Sequence, residues 1–270
     1  LLDNGYHVVD MVMQAVAIYE RVEVAKSMGY ALRCPGSAVP ANEKNTATKA
    51  AAAFFYHTGL LAGADITVHK TVPTRAGMAG GSADAAAVLV GLNALYKARL
   101  SREELCAIGR EVGADVPFSL VGGTARVRGI GDEVQPLRPL PACWLAVAMP
   151  VGGVSTPVAY RRFDEMGSPL HPDIGAACAA IEAGRLEMLA PHMQNMLEHA
   201  NGDETTARLR GVMDEAGALA SMMTGSGAAV FGLFATEAAA RAAAKAAEKL
   251  ARQVFVARPV ATGPVVVEQS

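Results

Sequence analysis

The sequence predicts an α+β protein built as two domains. Strand-like and helix-like segments mix without the steady β-α-β-α rhythm of a parallel sheet. Two prolines in Arg138-Pro139-Leu140-Pro141 interrupt the pattern near the middle of the 270 residues, and a new apolar strand opens just beyond them at Trp144. These observations set the expected domains at residues 1–138 and 139–270.

Residues 6–25 place Val8, Val12 and Val16, then Val22 and Val24, in partial alternation, which reads as two strands joined near Tyr19-Glu20. Residues 45–56 read as an alanine-rich helix, and Asp65-Ile66-Thr67-Val68-His69-Lys70 as a strand. A glycine-rich loop follows, and after it a helix over residues 85–95. Ser101 lies three residues before Glu104, the spacing of a capping box, so another helix starts there. Past the prolines, residues 144–149 form a buried strand, and helices are expected at 157–163, 173–182 and 204–215. Strands flank Thr224-Gly225-Ser226-Gly227. The alanine-rich stretch 236–252 reads as one long helix whose Arg241, Lys245 and Lys249 make a solvated basic stripe, and a strand near Phe255 closes a small sheet.

Composition excludes several classes of function. A net charge of −2 with scattered Lys and Arg argues against a nucleic-acid partner. Cys34, Cys106, Cys143 and Cys178 lie far apart with no Cys-x-x-Cys spacing, so neither a zinc site nor a disulfide framework is expected, and a cytoplasmic location is. No apolar run approaches the roughly 18 residues that cross a bilayer. The start shows no basic region followed by an apolar stretch, which argues against secretion.

Chemistry is concentrated in four segments. In Pro73-Thr74-Arg75-Ala76-Gly77-Met78-Ala79-Gly80-Gly81-Ser82-Ala83-Asp84, small residues precede a strong helix former. Such a loop turns backbone N–H groups toward an anion, and the helix behind it adds unpaired N–H groups and a partial positive charge. Neither the Gly-Lys-Ser/Thr ending of a P-loop nor a Gly-x-Gly-x-x-Gly fingerprint is present, so the expected ligand is a nucleoside triphosphate held in another manner. Asp115, in Gly113-Ala114-Asp115-Val116-Pro117-Phe118, is a charge in an apolar hexapeptide; it is either a catalytic carboxylate or a cap on the turn before Pro117. Thr224-Gly225-Ser226-Gly227-Ala228 is either a second phosphate-facing loop or a plain hairpin turn. Tyr6 and His7 suit the stacking and edge recognition of a base, or simple packing in a strand. His57, His69, His171, His192 and His199 show no metal-ligand spacing.

In this order and spacing the segments resemble the GHMP kinases, and Gly5-Tyr6-His7 with Gly-Ala-Asp-Val-Pro-Phe is similar to the branch that phosphorylates 4-diphosphocytidyl-2-C-methylerythritol (CDP-methylerythritol) in non-mevalonate isoprenoid synthesis. The resemblance implies an N-terminal domain like ribosomal S5 domain 2, a ferredoxin-like C-terminal domain and a site between them. It implies ATP as co-substrate, with Mg2+ as its partner, and a protein that is a monomer or a weak homodimer. Pro73, Gly77, Met78, Ala79, Gly80, Gly81, Ser82 and Ala83 would hold the phosphates, and Asn45 would meet the adenine. Asp115 would act on the hydroxyl, while Tyr6, His7, Gly225, Ser226 and Gly227 would bind the acceptor. Ser82 and Asp84 would approach the magnesium ion, or Asp84 would favour the helix dipole from the first turn. Three departures stand out. Ala79 replaces a glycine and is unstrained only at negative φ. Met196 replaces an acidic residue. A lysine-bearing strand ahead of Gly5 has only residues 1–4 to represent it.

Overall fold

The computed structural model describes residues 5, 7–166, 171–201 and 204–268. The first half holds two three-stranded sheets. In one, β1 (Val9–Gln14), β5 (Thr124–Gly129) and β6 (Glu133–Pro136) run antiparallel in the order β1-β5-β6. In the other, β4 (Gly63–His69) lies between β2 (Arg21–Ser27), which is antiparallel to it, and β3 (Tyr30–Arg33), which is parallel. Against this second sheet pack α1 (Thr46–Thr58) and α2 (Gly80–Leu95), with α3 (Arg102–Val112) and α4 (Val116–Val121) packed in turn on these helices, burying Phe54, Ile66, Leu89 and Leu92. The Ser101–Glu104 capping box forms at the head of α3, as its spacing foretells.

The second half contains β7 (Trp144–Pro150), α5 (Thr156–Glu165), α6 (Ile174–Glu182), α7 (Leu186–Leu189), a 3-10 turn (Ala190–His192), α8 (Met196–Asn201) and α9 (Glu204–Glu215). It continues with β8 (Ala220–Met223), β9 (Val230–Phe234), α10 (Glu237–Ala247) and β10 (Ala251–Ala257). Its antiparallel sheet has the order β10-β7-β9-β8. The strand β7 is covered on both faces, which is why its sequence is a continuous apolar run rather than an alternating one. Ala146 and Ala148 meet α9 and α10, with Leu209, Met213 and Ala243. Leu145, Val147 and Met149 face the opposite way and pack with Ala76 and Met78 of the glycine loop. The loop therefore rests on the sheet of the other half. Beyond β10 the chain returns to the first half, pairing Pro259 with Val16 and donating from Gly263 N to Val121 O.

The two strands expected over residues 6–25 form as β1 and β2, and they belong to different sheets because each finds its partner far along the chain. Two expectations are corrected. The helix after the glycine loop begins at Gly80 rather than residue 85. The final helix stops at Ala247, since residues 251–257 pair with β7 instead, which leaves Lys249 beyond it. Arg241 and Lys245 do lie on a solvent-exposed face, paired with Glu237 at 2.5 Å and Glu248 at 2.6 Å. Among the described residues no helix is long and apolar enough to cross a membrane.

Candidate active site

The glycine loop leaves β4 at His69 and reaches α2 at Gly80, carrying Pro73, Gly77, Met78 and Ala79 between them. The helices α1, α3, α6 and α10 begin under a side-chain cap, from Asn45, Ser101, Asp173 and Thr236 respectively. The start of α2 has none: its N-cap is Ala79, with no side-chain hydrogen bond and no acidic residue in the first turn. Gly80 and Gly81 at the head of a 16-residue helix thus offer N–H groups to an outside anion. Ala79 has φ 51, the strained alternative for an alanine; its left-handed backbone makes the bend that aims the helix start.

The second loop touches the first directly. Thr224 Oγ1 donates to Gly77 O at 3.0 Å, and the N–H groups of Ala228 and Ala229 donate to Arg75 O and Ala76 O, both at 3.2 Å. The approach is so close that a Cβ on Gly77 would lie 2.0 Å from Thr224 O. Behind it, Asn195 Nδ2 donates to Met223 O and Gly225 O at 2.8 Å each, and Glu198 Oε2 accepts from Met223 N at 2.8 Å. Glu198, two residues after Met196, supplies the carboxylate in this region.

Asp115 occupies the N-cap position of α4, yet its carboxylate makes no capping hydrogen bond. Among the described residues only its carbonyl is used, accepting from Ser119 N at 3.0 Å and Ser119 Oγ at 2.9 Å. Burial raises its pKa above the ordinary carboxylate value. Tyr160 lies near enough that, after its own burial, the charge of Asp115 helps to raise its phenol. The His7 ring stacks on Tyr160 with centroids 4.5 Å apart, and His7 Nε2 meets Asp164 Oδ1 at 2.7 Å. Tyr6 lies outside the described residues. At the head of the same helix, Thr156 Oγ1 and Ser226 Oγ are 2.8 Å apart. Thr156, Tyr160 and Asp164 repeat every four residues on one face of α5, linking the Gly225-Ser226-Gly227 loop to Asp115 and His7. That spacing was visible in the sequence, and it is the signal that would have found them.

Asn45 accepts from Ala47 N at 2.9 Å and donates to Pro40 O at 2.8 Å; the next residue, Thr46, donates to Gly81 O at 2.7 Å, which sets α1 beside the loop. Asn45 is thus first a helix cap, and Pro40 takes one of its two amide hydrogens. Asp84 is neither in the first turn nor open to solvent: it is buried and bonded to Lys70 Nζ at 2.7 Å. Lys70 also pairs with Glu20, a partnership across half a hundred residues that no local reading detects. Among the described residues no group of three or more His, Cys, Asp or Glu is placed to hold a metal ion.

Comparison with known proteins gives this geometry a family. Residues 45–123 match the GHMP kinases N terminal domain and residues 177–253 the GHMP kinases C terminal family. A 4-diphosphocytidyl-2-C-methyl-D-erythritol kinase from Carboxydothermus hydrogenoformans is 39% identical over 98% of this chain and 93% of its own length. One from Clostridium botulinum is 36% identical over 96% and 93%. The crystal structure of a 4-(cytidine 5'-diphospho)-2C-methyl-D-erythritol kinase superposes with TM-score 0.79 at 31% identity, covering 97% of this chain and 93% of that one. A homoserine kinase from Cytophaga hutchinsonii reaches TM-score 0.76 at only 20% identity, a likeness of fold alone. With both domains matched, and with identity held over nearly the whole chain by kinases of one kind, the protein belongs to the 4-diphosphocytidyl-2-C-methyl-D-erythritol kinases of the GHMP kinase family.

Proposed function

We propose that the chain transfers the γ-phosphoryl group of ATP to the 2-hydroxyl of 4-diphosphocytidyl-2-C-methyl-D-erythritol. The observation that carries this reading is the face of α5, which touches Ser226 beside the glycine loop, passes Asp115 and ends on His7. A phosphate end, a carboxylate and an aromatic end lie along one line.

Phosphoryl transfer asks a protein mainly for positioning and charge stabilisation. The residues Pro73 and Gly77 to Ala83 cradle the ATP phosphates on the N–H groups of Gly80 and Gly81, and Asn45 stands beside them for the adenine. Asp115 takes the proton of the acceptor hydroxyl as its oxygen forms the bond to the γ-phosphorus and the bond to the ADP oxygen breaks. Burial gives Asp115 the raised proton affinity suited to that step. Gly225, Ser226 and Gly227 contact the acceptor's phosphates, and Tyr6, His7 and Tyr160 take its base. Mg2+ bound to the triphosphate, with the Ser82 hydroxyl as the loop side chain to approach it, would supply charge neutralisation there. The near-balanced charge supports a small-molecule rather than a nucleic-acid partner; the reading is completed by a cytoplasmic enzyme, monomeric or weakly dimeric, with the domains divided at residue 138.

Release of ADP with the diphosphocytidyl substrate, and none with homoserine or mevalonate, is the expected result. CMP should compete with the acceptor; turnover indifferent to cytidine would remove this reading. Tyr160→Ala should raise the acceptor KM about tenfold while Tyr160→Phe, which keeps the ring, stays close to wild type. Steady-state kinetics with each substrate varied in turn checks this, and an equal effect on the ATP KM would take Tyr160 out of the base end.

A further inference from the structure

Lys70, Glu20 and Asp84 form a buried ionic cluster that the phosphoryl-transfer step does not use. Their side chains are 9%, 3% and 5% exposed. Lys70 stands just before the glycine loop and Asp84 just after it, and the two are joined across the loop's base at 2.7 Å. Glu20, from the segment leading into β2, holds the same stem twice: Oε1 pairs with Lys70, and Oε2 accepts from Thr71 N at 2.7 Å. Glu20 also lies directly beneath the start of α2, since a Cβ on Gly80 would be 3.5 Å from its Oε1.

One ammonium serves two carboxylates here. Burial works against the charge of Lys70, but Asp84 and Glu20 outweigh it and hold the lysine above its ordinary value. Among the described residues Asp84 Oδ1 has no hydrogen-bond partner. Replacing such a cluster with apolar groups commonly costs a fold little or nothing, so stability alone is a weak account of it. Its geometry, by contrast, is specific: the incoming stem, the outgoing helix and a third segment meet at one point, directly under the uncapped N–H groups of Gly80 and Gly81.

We propose that Glu20, Lys70 and Asp84 are positioning residues for ATP: a buried clasp that fixes the two stems of the phosphate loop and so sets the angle at which the start of α2 meets the triphosphate. The inference rests on the assignment of that loop to the ATP phosphates. Lys70 has a second duty in it, neutralising two carboxylates that would otherwise stand beneath an anion site. Removing the lysine alone should therefore harm nucleotide binding more than removing Asp84 alone, and removing both should restore part of the loss.

The test measures the Kd of a non-hydrolysable ATP analogue by calorimetry, together with KM for each substrate and Tm. It uses Asp84→Asn, Glu20→Gln, Lys70→Arg, Lys70→Met and the double variant Lys70→Met/Asp84→Asn. Asp84→Asn should weaken analogue binding and raise the ATP KM between about ten- and a hundredfold, the effect of a misplaced binding group, while the acceptor KM holds. Lys70→Arg should stay nearest to wild type. Should Lys70→Met fail to fold, Asp84→Asn decides, because it leaves one carboxylate with one ammonium. Folded variants with a lower Tm but unchanged analogue affinity would overturn the clasp alone. A wild-type protein that binds no analogue would overturn the phosphate-loop assignment with it.

Discussion

Asp115→Asn lowers kcat by about two to four orders of magnitude while the ATP KM holds, because the amide keeps the shape of the carboxylate but accepts no proton. The wild-type pH profile carries the same information. Burial raises the pKa of Asp115 from its ordinary 3.8, so the carboxylate is ionised only above that raised value. Activity should fall with unit slope as pH drops through it, along an acid limb displaced upward from an ordinary aspartate, and the residual activity of the variant should lack that limb. Stability runs the opposite way. A buried carboxyl with a raised pKa holds its proton more tightly in the folded chain than in the unfolded one. Its contribution to stability is present below the ordinary value and is lost as pH rises through the folded one. At neutral pH the variant should melt no lower than wild type, and a drop in Tm would mean the charge has a stabilising partner. Unchanged kcat would remove Asp115 from the reaction.

Gly77→Ala should be the most damaging single methyl group in the glycine loop. Gly77 has φ 70, a region that costs an alanine about 1–2 kcal/mol, and its Cβ would lie 2.0 Å from Thr224 O. Backbone cannot yield at that distance without parting the loops, so the bonds from Thr224 Oγ1, Ala228 N and Ala229 N are lost, at about 1 kcal/mol each. The phosphate loop then loses its seat on the second half, and kcat/KM for ATP should fall by about a hundredfold or more. Gly59→Ala is the control. It shares the left-handed backbone, with φ 67 at the C-cap of α1, but a Cβ there meets nothing within 4 Å. Thermal melts and ATP kinetics on both variants separate the strain common to them from the clash that Gly77 alone suffers. Equal losses would mean that contact between the loops does not matter.

Much of this architecture was legible because it is locally written. Residues 204–215 form α9 to the residue, as their helical periodicity requires, and Ser101 caps α3 through a pairing only three residues long. What escaped depends on partners distant in sequence. The strands β5 and β6 are short, and β5 carries half-buried Arg126 and exposed Arg128, so they read as loops until β1 pairs with Gly129 to Thr124. Residues 248–252 read as the continuation of an alanine-rich helix, yet the pairing of residues 251–257 with β7 decides their fate. Within the candidate site, the glycine loop and Asp115 stand out by residue type. Tyr160 and Asp164 do not: their four-residue spacing with Thr156 is written in the sequence, but nothing marks that face until Ser226 and His7 are placed against it. Glu20 was hidden for a different reason: a carboxylate at the head of a strand announces nothing until the lysine it neutralises is known.

The face of α5 gives the enzyme a ruler. From Thr156 to Asp164 is eight residues, about 12 Å of rigid rise. A molecule must reach from Ser226 to His7 to engage both marks. On the proposed assignment of these groups to the acceptor, a short alcohol would fill one end only, so acceptors would be selected by length as well as by chemical group, and a nucleotide-tailed alcohol gauged before it is phosphorylated.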